Sequence, residues 1–165
     1  MVAIRKDIFL RLKAEIPFFN DFSDEEMLSF LRLMTSQTVP MDQVIFKEFD
    51  PSDTMYLLFS GGVEISKRVA KQDGVLREAV IARLKPGEAF GELGLLDHRP
   101  RSATARTTEQ SLLFSISSEK LEKIARNPKL SFLSYKLFRN FSVMLATRLR
   151  DTNQKVVDLE AQRLG

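Results

Sequence analysis

Phe90-Gly91-Glu92-Leu93-Gly94-Leu95-Leu96, followed by Arg99-Pro100-Arg101-Ser102-Ala103-Thr104, is the stretch on which the reading of this chain turns. It is apolar and punctuated by glycine, yet it holds one acid and, further on, an arginine among small residues. An apolar run of this kind predicts burial, and a buried carboxylate or guanidinium needs something to offset its desolvation. A ligand that is part anion and part polyhydroxyl would do so. The planar fork of Arg101 suits two anionic oxygens, small neighbours let backbone N–H groups approach them, and Glu92 can accept from a sugar hydroxyl. The alternative is a structural Glu–Arg pair bracing a turn.

Composition narrows the remaining choices. At 165 residues the chain suits one ordinary domain plus a tail, and 44% hydrophobic with 28% charged residues is a globular balance. With no cysteine, disulfides and thiolate metal sites are excluded, and a reducing compartment fits. The single histidine, His98, leaves little room for a metal centre or a Cys/His nucleophile, and no nucleophile elbow is present. A net charge of +3 is too small and too evenly spread to argue for nucleic acid. No apolar run approaches membrane-spanning length, and Met1 to Arg11 lacks the apolar core of a signal peptide. A soluble, cytoplasmic protein without metal or resident cofactor is the expectation.

Along the chain, Ile4, Ile8, Phe9 and Leu12 have helical spacing, and Ile16-Pro17-Phe18-Phe19 breaks that helix. Ser23 and Glu26 form a capping box that opens a helix through Met27, Leu28, Phe30, Leu31 and Met34, and Pro40 closes the helical region. Short β-like runs follow at Val44–Lys47, Met55–Phe59, Val63–Lys67, Leu76–Leu84, Ala103–Thr107 and Leu112–Ile116. Turn chemistry separates them, Gln72-Asp73-Gly74 being a hairpin signal. Ser117 or Ser118 caps a helix ending near Asn127-Pro128, and a last helix runs from about Leu130 to near the end. The expected fold is α+β, an antiparallel, jelly-roll-like β-roll flanked by N-terminal helices and a long C-terminal helix. Its segments are residues 1–35, 36–117 with the glycine-rich cassette at 90–104, and 118–165 as lid and dimerisation helices.

The cassette and this element order resemble the cyclic nucleotide-binding domain family, over roughly Phe18 to Leu159. Phe90-Gly91-Glu92-Leu93 with Arg101-Ser102-Ala103 resembles the family's phosphate-binding cassette. Ile45-Phe46-Lys47-Glu48 with Tyr56-Leu57-Leu58-Phe59-Ser60-Gly61 resembles its first hairpin region, and Leu84-Lys85-Pro86-Gly87-Glu88 its approach to the cassette. The resemblance implies that Arg101 pairs with the cyclic phosphate and Glu92 accepts the ribose 2′-hydroxyl. Gly91 would let the backbone approach the sugar closely, a tight turn being the alternative; the resemblance further implies that Leu93 belongs to the pocket, that Ser102 touches phosphate or base, and that the Ala103 N–H approaches phosphate. Serine rather than threonine at 102 leans towards adenine. Ile65 and Ile81 would sandwich the base, with plain core burial as the alternative. One departure is Phe49, where the family commonly has glycine; a phenylalanine there must avoid positive φ or carry strain. A short helix starting near Glu92 would also aim free N–H groups at phosphate. Neither the Rossmann G-x-G-x-x-G spacing nor a P-loop Gly-Lys-Ser/Thr is present.

In the final helix Phe138, Phe141, Leu145, Leu149, Thr152, Val156 and Leu159 recur at steps of three and four, a pattern of core, interhelical seam or both. Ala146 to Leu159 resembles the dimerisation helix of the bacterial catabolite activator and its relatives. That resemblance sets Thr152 and Asn153 where those proteins reach adenine from two subunits; an exposed polar pair is the alternative. A helix-turn-helix domain follows this helix in those regulators. With Glu160 to Gly165 alone beyond it, the chain is expected to be a stand-alone sensor or the sensory part of a truncated regulator. The expectation is therefore a homodimeric regulatory module without enzymatic activity. It would bind cAMP, or else cGMP, and act on an unknown downstream effector, with no membrane segment and no nucleic-acid-binding domain of its own. A domain that keeps the fold but serves only protein interaction is the competing reading.

Overall fold

The computed structural model describes residues 6–70 and 74–164. Ile4 of the first expected helix and Gln72-Asp73 of the expected hairpin turn lie outside the described residues. Helix α1 (Lys6–Glu15) ends at Ile16, which the following Pro17 steers into extended space, and Pro17–Phe19 forms a 3₁₀ turn. Helix α2 (Asp24–Leu31) opens as its sequence dictates. The Ser23 side chain accepts from the Glu26 N–H at 3.2 Å and the Glu26 carboxylate accepts from the Ser23 N–H at 2.7 Å. Such a cap is worth about 1 kcal/mol. Phe18, Phe19, Phe22 and Phe30 pack their rings together at centroid distances of 5.4–6.3 Å.

Met34 is buried but lies beyond the helix, and strand β1 (Thr35–Val39) has begun before Pro40. The other strands are β2 (Val44–Phe46), β3 (Thr54–Ser60), β4 (Val63–Ala70), β5 (Leu76–Leu84), β6 (Ala89–Phe90), β7 (Thr104–Thr107) and β8 (Ser111–Ser117). Strands β1 and β6 are additions to the six expected. Thr35–Val39 is a mostly polar edge strand with no apolar alternation to betray it, and β6 has two residues whose conformation comes from pairing with β3. Among the described residues the strands form two antiparallel four-stranded sheets, ordered β1-β8-β3-β6 and β2-β7-β4-β5. Their inward faces enclose Leu58, Val63, Leu84, Phe90, Ala105 and Leu113, with Phe46, Tyr56, Ile65 and Ala82 packed against that cluster. Each such side chain stabilises the roll by roughly 1.5–3 kcal/mol on full burial. This is the α+β β-roll expected from the sequence.

Between β6 and β7 sits the short helix α3 (Glu92–Asp97). The chain divides into two compact units, residues 1–123 and 124–165. The first holds the N-terminal helices and both sheets. Helix α4 (Ser118–Ala125) crosses the boundary, with the Ser117 hydroxyl accepting from the Lys120 N–H at 3.4 Å. The second unit is dominated by α5 (Ser131–Leu164), a 34-residue helix that follows a 3₁₀ turn at Pro128–Leu130. Along α5, Leu133, Leu137 and Phe141 are buried, whereas Leu149, Val156 and Leu159 are 61%, 53% and 65% exposed. Among the described residues, no helix is long and apolar enough to cross a membrane.

Candidate functional site

Strand β6 ends at Phe90 and the chain reverses at Gly91, whose φ of 74° lies in the left-handed region that glycine enters without strain. A side chain at Gly91 would also collide with its surroundings. A Cβ there would lie 2.6 Å from Arg101 Nη1, 3.2 Å from the Thr54 carbonyl and 3.3 Å from Phe46 Cε1. The glycine read from sequence as allowing close approach thus first makes room for the arginine of its own cassette.

Arg101 is 5% exposed. Its backbone is fixed by a reciprocal pair of bonds, the Phe49 N–H donating to the Arg101 carbonyl at 2.9 Å and the Arg101 N–H donating to the Asp50 carbonyl at 2.8 Å. Its Nη1 donates to the carbonyls of Thr54 at 2.7 Å and Gly91 at 2.9 Å. The guanidinium lies over the Phe46 ring, 4.1 Å from its centroid, and 5.8 Å from that of Tyr56. Its Nε is buried without a hydrogen-bond partner. Burial lowers the Arg101 pKa from its ordinary value, while Tyr56, Asp53, Asp50 and Glu92 act in the opposite sense. An arginine nevertheless stays charged, so the site holds a desolvated cation with one buried donor to spare.

Glu92, 3% exposed, is the first residue of α3, where the helix was expected to start. Its charge is among those that favour the protonated Arg101 guanidinium. Leu93 is 45% exposed, Ser102 is exposed and Ala103 is buried. Ile65 sits half-buried against the core cluster and stands opposite Ala82 and Ala105 in the ladder, whereas Ile81 on β5 is 49% exposed. Thr152 and Asn153 belong to the second compact unit and are exposed. The Thr152 hydroxyl donates to the Arg148 carbonyl of its own helix at 2.8 Å.

Phe49 does adopt positive φ, 74°, in a place where sequence reasoning expected strain. Its backbone bond to Arg101 and the Arg68 guanidinium, 5.0 Å over its ring, hold it there. Several contributors had no individual mark in the sequence. Phe46, Tyr56 and Phe90 form a ring cluster with centroids 5.3–6.0 Å apart. Thr104 accepts the Glu48 N–H at 3.0 Å, and buried Glu48 accepts the Arg68 N–H at 3.1 Å. Gly94 leaves space for Ser52, whose Oγ would lie 2.2 Å from a Cβ at that position. The available signal for Phe46 and Tyr56 was their place in the β-like runs Val44–Lys47 and Met55–Phe59; it marks them as strand residues but not as companions of a cation.

Residues 36–127 match the model of the cyclic nucleotide-binding domain, which is more than half of the chain. The chain belongs to the cyclic nucleotide-binding domain family, whose characterised relatives include regulatory proteins. It is 34% identical over 136 residues to a CRP-like cAMP-activated global transcriptional regulator of Mycobacterium tuberculosis, the match covering 79% of this chain and 56% of that regulator. The chain thus spans about half the length of the curated relatives it matches. The crystal structure of the Thermus thermophilus catabolite activator protein superposes with a TM-score of 0.72 at 30% identity, covering 87% of this chain and 63% of that one. A cyclic nucleotide-binding domain from Methylobacillus flagellatus shares the fold, with a TM-score of 0.80 at 24% identity over 93% of this chain and 82% of its own.

Proposed function

We propose that this domain binds cAMP as a regulatory sensor and carries out no chemistry itself. The observation that carries the reading is Arg101: a desolvated guanidinium held by carbonyls and ring faces, with its Nε unpartnered. Carbonyls and rings hold the cation without cancelling its charge, which suits a site made for an anion. Glu92 would accept the ribose 2′-hydroxyl with the Gly91 backbone close to the sugar, the Ala103 N–H would approach the cyclic phosphate, Ser102 would touch phosphate or base, Leu93 would line the pocket, and Ile65 and Ile81 would flank the base. The Mycobacterium tuberculosis relative is a cAMP-activated regulator, which supports the adenine choice, as does serine rather than threonine at 102.

The exposed apolar positions Leu149, Val156 and Leu159, with Thr152 between them, continue a 3–4 spacing along α5 and suit a parallel seam between two copies. In such a homodimer Thr152 and Asn153 would meet the base. Signalling would be a population shift: cAMP favours one arrangement of cassette and α5, and an effector reads it. A cytoplasmic setting goes with this reading. A second reading, the sensory part of a longer DNA-binding regulator, is favoured by the 56% coverage of the Mycobacterium tuberculosis protein.

Isothermal titration of the purified chain with cAMP, cGMP and cyclic dinucleotides tests the proposal. Saturable binding with cAMP preferred is the expected result. Preference for cGMP or a dinucleotide overturns the adenine assignment, and no binding to any of them leaves the interaction-domain reading.

A further inference from the structure

We propose that Phe46 is a positioning residue for ligand binding, its ring face carrying the Arg101 guanidinium without neutralising it. The inference deepens the reading above and rests on it. Phe46 lies on β2, paired with Ala105 of β7 just beyond the cassette. The guanidinium carbon is 4.1 Å from its ring centroid, within stacking distance of a π face. The ring itself is held: Phe90 lies 6.0 Å and Tyr56 5.9 Å from it, and all three belong to or pack against the roll's core cluster.

Three constraints therefore meet at one side chain. The Phe46 ring lies against the guanidinium carbon, and the Thr54 and Gly91 carbonyls hold its Nη1 corner. The missing Cβ of Gly91 lets ring and cation come this close. What remains is the edge carrying Nε, buried and without a partner, and that edge is left for an anionic oxygen. An aliphatic residue at 46 would fill the volume but offer no quadrupole, and a carboxylate would compete with the ligand for the cation. An aromatic ring avoids both faults. Holding a donor in its bound orientation lowers the ordering cost of binding.

The test compares Phe46→Leu, which keeps an apolar side chain, with Phe46→Tyr, which keeps the ring; Phe46→Met replaces the leucine variant if that one fails to fold. Nitrogen-15 NMR of the ligand-free chain should show the Arg101 Nε–H displaced by ring current in the wild type and Phe46→Tyr, and not in Phe46→Leu. In isothermal titration, Phe46→Leu should bind cAMP about tenfold more weakly while its affinity for adenosine, which has no phosphate, is unchanged. Phe46→Tyr should bind both within about twofold of the wild type. Equal losses for cAMP and adenosine, or full cAMP affinity in Phe46→Leu, overturn the inference. So does an Arg101 resonance without ring-current displacement in the wild type, whatever that protein binds. A wild type that binds no cyclic nucleotide instead fails the functional reading, and the ligand role of Phe46 with it.

Discussion

Replacing Gly91 by alanine should damage the fold and the ligand site together, because one missing methyl group serves both. At φ 74° an L-residue with a Cβ meets its own carbonyl, at a cost of roughly 1–2 kcal/mol. The new methyl would also stand 2.6 Å from Arg101 Nη1, too close for any real contact. Arginine is flexible at its tip, but here Phe46 covers its face and two carbonyls hold Nη1. Moving Nη1 weakens at least one hydrogen bond from a charged donor, worth about 1.5–3 kcal/mol. The two effects together predict about 2.5–5 kcal/mol of lost stability, measured by urea unfolding at constant m-value, and a loss of cAMP affinity of about tenfold or more. Gly91→Asn separates the contributions, since asparagine tolerates left-handed φ yet still carries a Cβ. It should recover part of the stability and little of the affinity. Near wild-type stability and affinity in Gly91→Ala, or full recovery of both in Gly91→Asn, would refute the crowding argument.

Glu92→Gln should weaken cAMP binding, because an amide accepts less strongly than a carboxylate. The 2′-deoxy analogue should bind the wild type poorly and lose little more in the variant, and equal discrimination by both proteins in a titration series would count against a hydroxyl contact. Sedimentation should find the wild type dimeric and Leu149→Asp monomeric, since a seam cannot bury an unpaired carboxylate; a monomeric wild type would assign the α5 stripe another role. Burial raises the pKa of Tyr56, so the unfolded chain gives up that proton first and the fold loses stability as pH rises beyond the ordinary tyrosine value. Unfolding midpoints measured at successive alkaline pH values should therefore fall less steeply in Tyr56→Phe than in the wild type.

Much of this architecture is legible in the sequence because local chemistry and tertiary structure agree. Ser23 and Glu26 cap the helix that their spacing predicts, and the β-like runs Met55–Phe59 and Val63–Lys67 belong to central strands. Legibility stops where pairing rather than pattern decides. Strand β1 is mostly polar and stands at a sheet edge, and β6 is two residues long, so neither carries a periodic signal. The cassette announces itself through Gly91, Glu92 and Arg101, but its supporting contacts do not. The Thr54 carbonyl acts through the backbone, where residue identity is silent, and Phe46 looks like any inward strand residue. Phe49 shows the converse: the sequence marks a conflict with positive φ, and the structure retains it, with Arg68 stacked on the exposed ring.

The central claim is that the buried Arg101 guanidinium exists to hold a cyclic phosphate, and titration of Arg101→Ala beside the wild type tests it most directly. Charge-assisted hydrogen bonds contribute about 1.5–3 kcal/mol each, and with Nη1 held by carbonyls the remaining edge, Nε with Nη2, can make two to a phosphate. Even with partial non-additivity, cAMP affinity should fall by about a hundredfold or more in a variant whose circular dichroism spectrum matches the wild type. A folded Arg101→Ala protein that binds cAMP as tightly as the wild type would contradict the account.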